Sequence, residues 1–352
     1  MAFTTIDDPS AHFQVTEYAG AGGSSNISRT FDGNSDLQPD LTWHKSIGQT
    51  YDHYLFDSTR GVGLYLKPNA GVPDDGTSGD TTSLASFDSD GFTLAASQGI
   101  SDGSAAIMCW GWKANGGTTS SNTSGSITST VQADTTAGFS IITYTGNNTD
   151  GATFGHGLGA VPHFIIIKKR SNTGNWMTYH QNLGADKAVF LDLNNATESS
   201  SFYQETPTST LVTLNDHGNV NANSETYVCY CFTSIQGYSK FGSYTGNGNA
   251  DGTFVYTGFA PAWIMQKRTN SSTDAHWHIF DIKRDTKNPR ITRLEGNNNF
   301  GDSSGEGADF LSNGFKWRSN DVRYNGSDDT YIYMAFAENP FVSSEGVPCT
   351  AR

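Results

Sequence analysis

The chain has 352 residues, long enough for two or three domains that each bury a core. Its formal charge of -14 is spread without a basic run, so a phosphate backbone would be repelled and nucleic acid is excluded as a partner. Gly (39 residues), frequent Ser, Thr and Asn, 12% aromatics and no long Ala/Leu/Glu/Lys stretch exclude a mainly helical protein and point to many short strands with polar turns.

MAFTTIDDPSAHF at the N-terminus has neither the basic start nor the apolar core of a secretory signal, and no run of about 18 apolar residues follows. Soluble synthesis in a cytoplasm without membrane insertion is expected. The first predicted strand, FQVTEYAG at 13–20, ends in a small residue and Gly. Beyond a polar turn come Pro39 and the strand LTWHK, and later the strand FTL at Phe92 and the apolar strand IMCWGW at 107–112. In the first turn Asp32, Asn34 and Asp36 alternate as weak calcium candidates, and Asp88-Ser89-Asp90-Gly91 offers a second such pattern. Neither supplies a bidentate Glu, and hairpin turns use the same residues, so no metal is assigned.

Residues 114–136 are nearly all Gly, Ser, Thr and Asn, a composition that buries too little apolar surface to order itself and is read as a linker. The pattern then returns twice. FSIITYTG at 139–146 and KFGSYTG at 240–246 match the first strand, and Pro162 before HFIIIKKR and Pro261 before AWIMQKR match Pro39. VTL at Val212 and FKW at Phe315 precede YVCYCF at 227–232 and YIYMAF at 331–336. The separations Tyr18–Pro39, Tyr144–Pro162 and Tyr244–Pro261 are nearly equal, as are Phe92–Trp112, Val212–Phe232 and Phe315–Phe336. The expected fold is therefore all-β: three tandem antiparallel β-sandwich modules, jelly-roll or concanavalin-like, with very little helix. Modules are placed at 1–113, 137–236 and 237–342, with a tail at 343–352. Modules two and three are expected to pack as a pair, with module one hanging from the linker.

In copies two and three, six consecutive apolar residues in the last strand require cover on both faces, so this strand is core. The basic ends of FIIIKKR and WIMQKR are read as running out to solvent. Cys109, Cys229 and Cys231 are read as small buried core residues rather than metal ligands. The densest histidine group, His276-Trp277-His278, puts both imidazoles on one strand face. Trp277 repeats Trp176, which favours core over binding platform for that position, whereas His276 and His278 have no counterpart in module two. Together with Tyr179 and His180 these residues form the candidate ligand-binding set: Trp176, Tyr179, His180, His276, Trp277 and His278. No nucleophile–base pair, carboxylate pair or phosphate-cradling Gly motif stands out, so no catalytic residue and no cofactor is assigned.

The opening MAFTTIDDPSAHFQ, the segment FDGNSDLQPDLTWHK, the repeat FGSYTGNGNADGTFVYTGFAPAWIMQKR and the close TYIYMAFAENPF together resemble a family of marine bacteriophage proteins of the cyanophage and pelagiphage type. The resemblance spans essentially the whole chain. It implies a virion structural or tail-fibre-like component, located in the particle, contacting other virion proteins and acting as a symmetric oligomer, with a homotrimer expected. Tail fibre or adsorption component binding a host surface glycan or envelope protein is the leading role, capsid decoration or connector the alternative, and a polysaccharide depolymerase the third.

Overall fold

The computed structural model describes residues 3–20, 22, 26–76, 83–95, 99–101, 105–199, 202–203 and 205–348. The chain is all-β. Among the described residues only one single-turn α-helix (Gly218–Asn221) and one 3-10 turn (Pro9–Ala11) interrupt the strands, and no helix is long and apolar enough to cross a membrane.

The same antiparallel four-strand arrangement occurs three times. In the first copy its order is Phe13–Ala19, Ala106–Trp112, Leu41–Ser46 and Tyr54–Asp57. The second copy has Phe139–Thr145, Thr226–Phe232, Phe164–Lys169 and Met177–His180. The third has Ser239–Thr245, Thr330–Pro340, Phe259–Arg268 and His278–Asp281. Register is preserved, since Leu41, Phe164 and Trp263 pair with Trp112, Phe232 and Phe336 respectively.

Strand alternation explains the doubly apolar last strand. In the second copy Tyr227, Cys229 and Cys231 face a core private to that copy, while Val228, Tyr230 and Phe232 face a core common to all three. The first and third copies divide in the same way. Phe13, Trp112, Phe232 and Phe336 meet in the common core, with Phe13 stacked on Phe336 at 4.8 Å and Phe232 against Phe336 at 6.0 Å. A cavity of about 20 Å³ lies at the centre, lined by side chains including Trp43, Tyr230 and Met265.

The repeated Tyr-x-Gly signature is structural. Tyr18, Tyr144 and Tyr244 are buried, and each donates its hydroxyl to a carbonyl in the loop before its copy's last strand: Ile100 at 2.8 Å, Val220 at 2.7 Å and Tyr324 at 2.8 Å. A Cβ on Gly146 or Gly246 would stand 2.3 or 2.2 Å from the carbonyl oxygen of Ala222 or Gly326, so only glycine allows the chain through.

Three expectations are corrected. Residues 114–136 are not an unordered linker: Ser120–Asn122 and Ser129–Asp134 form a hairpin added to the second copy's sheet, pairing with Phe139–Thr145. Backbone hydrogen bonding orders it. The buried Asp40 carboxylate accepts from the amides of Ala114, Gly116 and Gly117 at 2.7, 2.8 and 2.8 Å. The first copy does not hang free, because its sheet supplies a third of the common core. Of the basic residues ending the FIIIKKR and WIMQKR strands, Lys168 and Lys267 are not solvated but fully buried, while Lys169, Arg170 and Arg268 are partly exposed. The tail, as far as it is described, folds back on the N-terminal segment, where Asp7 accepts from the Ser344 amide at 2.6 Å.

Candidate functional site

Most of the side chains that suggest chemistry lie in the seams between copies. Lys45, Lys168 and Lys267 occupy one register position and are each fully buried. Each ammonium donates to carbonyls of its own copy and to one carbonyl of the next. Lys45 reaches Ser46 at 2.7 Å and Asn299 of the third copy at 3.3 Å. Lys168 reaches Gly174 at 2.9 Å and Gly71 of the first copy at 3.3 Å. Lys267 reaches Ala275 and, at 3.2 Å, Leu193 of the second copy. The three contacts run first to third, third to second and second to first, closing a ring. Burial pushes Lys45 and Lys168 down to about 8 and Lys267 to about 7.

The same directionality governs the tryptophans. Trp176 donates its indole N–H to the carbonyls of Lys67 and Ala70 at 3.0 and 3.1 Å, and Trp277 donates to Phe190 at 2.7 Å. In the first copy His53 stands at this position and accepts from Trp43 at 2.8 Å. One layer further, Tyr230 donates to Asp57 at 2.7 Å and Trp110 to Asp281 at 3.3 Å. Each of these aspartates is buried against an arginine that bridges to a second carboxylate: Asp57–Arg60–Asp74 and Asp281–Arg284–Asp302. In the third seam Met334 and His180 replace the tyrosine or tryptophan and the aspartate, so that seam lacks the ionic group.

The sequence-derived ligand set is therefore dispersed into structure. Trp176, Tyr179, His180, Trp277 and His278 are at most 1% exposed, because the second and third copies pack both faces of this strand region. Burial drives the His180 imidazole down to about 4 and that of His278 well below its ordinary value. His278 sits edge-on to Tyr324 at 5.0 Å, while His276, partly exposed, meets Asn297 at 2.9 Å and Glu295 at 3.5 Å. These six residues do not line one surface pocket. Nor do Asp32, Asn34 and Asp36 converge: all three are exposed, and Asp32 pairs with Lys283 at 2.6 Å. Asp90, in the turn between Leu84–Asp88 and Gly91–Leu94, accepts from the sequence-distant Leu37 amide at 3.2 Å. Among the described residues no group of three or more His, Cys, Asp and Glu side chains is placed to hold a metal ion.

What the sequence reading missed is a cleft in the third copy. Its outer wall is the short strand Phe254–Tyr256, whose Val255 is buried while Phe254 and Tyr256 are 43% and 46% exposed. Facing it are Lys240, Gly242 and Ser243 of the neighbouring strand edge, with Gln181 and Asn182 at one end. The space is about 390 Å³, within the range of small-molecule sites. A legible signal existed: aligning on the central pair Phe154 and Val255 sets Phe254 against Thr153 and Tyr256 against Gly155.

The profile of a family described as a domain of unknown function, DUF7483, matches residues 8–340. The chain belongs to DUF7483. No curated protein and no solved structure matches it. The DUF7483 match runs through all three copies, so the unit that defines the family includes every seam of the ring.

Proposed function

We propose that this DUF7483 protein is a structural component of a phage particle, a tail fibre or adsorption protein that contacts a host surface glycan or envelope protein through its outward loops. The observation that carries this reading is the use of its buried titratable groups. Lysines, aspartates, arginines and tryptophans that elsewhere do chemistry are here spent on closing the ring, which favours a rigid scaffold over a reaction site. The resemblance of the chain to marine phage proteins supplies the setting, with other virion proteins as neighbours, a homotrimer as the assembly and no catalytic step. The test is cell labelling: fluorescent, folded protein stains susceptible host cells and leaves resistant ones dark. Absence of staining on both would sink the adsorption role.

The ring itself favours a second reading, a capsid decoration or connector. Three matched copies around one centre suit a position of local threefold symmetry on a protein lattice. Cryo-electron microscopy of the particle separates the two: density at the tail tip supports adsorption, density on capsid threefold positions supports decoration.

A further inference from the structure

We infer that the cleft between strands Ser239–Thr245 and Phe254–Tyr256 of the third copy binds an acidic saccharide, a glycan bearing carboxylate or sulfate groups. This inference rests on the adsorption reading and gives it a site. Two residues apart on an extended strand, Phe254 and Tyr256 project from the same face, opposite the buried Val255. Exposed aromatic faces in tandem offer apolar platforms for the C–H faces of sugar rings. The walls add an amide pair (Gln181 and Asn182), a hydroxyl (Ser243) and an ammonium (Lys240), groups suited to ring hydroxyls and anionic substituents. No carboxylate lines the cleft, although the chain as a whole carries a net charge of -14, so an anion meets here the reverse of the average surface.

The second copy shows what the same place looks like when it is closed. There the segment running into Ser129–Asp134 covers Thr153 and Gly155: the Ile127 amide donates to the Thr153 carbonyl at 2.8 Å, and the Ser129 hydroxyl to the Gly155 carbonyl at 2.8 Å. In the third copy Lys240 takes over the latter role, its ammonium donating to the Tyr256 carbonyl at 2.8 Å and lying 5.2 Å from the Tyr256 ring centre. Core substitutions reline the floor as well. Where the second copy pairs Ile142 with Cys229, the third pairs Gly242 with Tyr333. A Cβ on Gly242 would stand 2.6 Å from the Tyr333 hydroxyl, so the glycine lets the phenol reach the cleft. Several departures of the third copy from the second thus meet in one space.

The test is titration calorimetry of the full chain with alginate-derived uronate oligosaccharides, heparin-derived sulfated oligosaccharides and neutral maltohexaose. At least one acidic probe is expected to bind, and the exposed double variant F254A/Y256A to weaken it about tenfold or more with an unchanged melting temperature. Lys240→Gln is expected to weaken the acidic probes and leave any maltohexaose binding untouched. Three results would overturn the site: no acidic probe binds, binding survives in F254A/Y256A, or the cleft takes up a peptide of residues 120–134 in preference to every sugar. Cell labelling by the same variant separates this from the adsorption role. Labelling that persists in F254A/Y256A removes the site and leaves adsorption standing, whereas sugar binding without labelling of any cell leaves the site and removes adsorption.

Discussion

A lysine at the end of an apolar strand usually carries its ammonium to water, because an unpaired buried charge costs several kcal/mol. Lys45, Lys168 and Lys267 depart from this because each enters a seam where carbonyls from two copies converge. Their burial could not be read from one strand, since the compensating acceptors lie largely in loops of the same copy and, for one bond each, on another copy. Lys267→Met keeps the stem but strands the Ala275 and Leu193 carbonyls. It should cost about 1–3 kcal/mol for each acceptor left without a donor, read from the shift in urea midpoint at constant slope. Trp277→Ala removes a fully buried ring together with its bond to Phe190, and a loss of about 3–5 kcal/mol is expected in the same assay. A ligand platform at Trp277 would instead leave stability nearly unchanged on truncation, so the two roles are separated by one measurement. His276 and His278 misled for a related reason: alternation correctly gave their shared face, but not that Tyr324 and the Arg293 side chain cover it.

Among elements, the strands with a repeated apolar signature were legible and the polar hairpin was not. Counting apolar residues in 114–136 underestimates its order, because Asp40 and the edge of the second sheet satisfy its backbone while Ile127 and Val131 supply two small anchors. Ile127→Ala is accordingly expected to destabilise the protein by about 2 kcal/mol, where the same change in a free linker would fall within about 0.5 kcal/mol. Thermal unfolding followed by circular dichroism decides between them. The closing strands illustrate the opposite case: six apolar residues in a row demanded cover on both faces, and the structure provides a private core on one and the common core on the other.

At the scale of the molecule, equal spacing revealed three copies but not their closure, for the contacts that close the ring join residues far apart in sequence. Since each sheet has one face in the common core, the first copy cannot keep its fold alone. Residues 1–113 expressed by themselves would present Val15, Trp43 and Trp110 to water, and sedimentation is expected to show aggregates or higher oligomers in place of a folded monomer. Stability should also follow the buried bases. His44 is held down to about 3 and His180 to about 4 by burial, and His53 and His278 lie well below 6.5. Below pH 6.5 the unfolded chain binds protons that these side chains refuse, so stability falls as the pH drops toward 4. Asp302, raised to about 6 by burial, and Asp192, also raised by burial, oppose this, but His156, His163 and His217 are lowered by burial as well, so seven imidazoles stand against two carboxyls. The lysines have the same sign from about pH 7 upward, where the unfolded chain holds protons that the seam releases, until the buried Cys109, Cys229 and tyrosines, raised by burial, oppose them above about pH 9. Urea midpoints at pH 4.5, 6.5 and 7.5 should increase in that order, and a flat profile would contradict neutral buried histidines.

Joining the three copies covalently changes what variation is permitted. In an assembly of separate identical subunits every substitution appears three times and association weakens on dilution, whereas a tethered set holds its interfaces at a fixed effective concentration. One member can then carry Phe254 and Tyr256 where the second copy keeps Thr153 and Gly155. Such a chain acquires a directional surface, with one distinguished side, that a strictly symmetric ring cannot have.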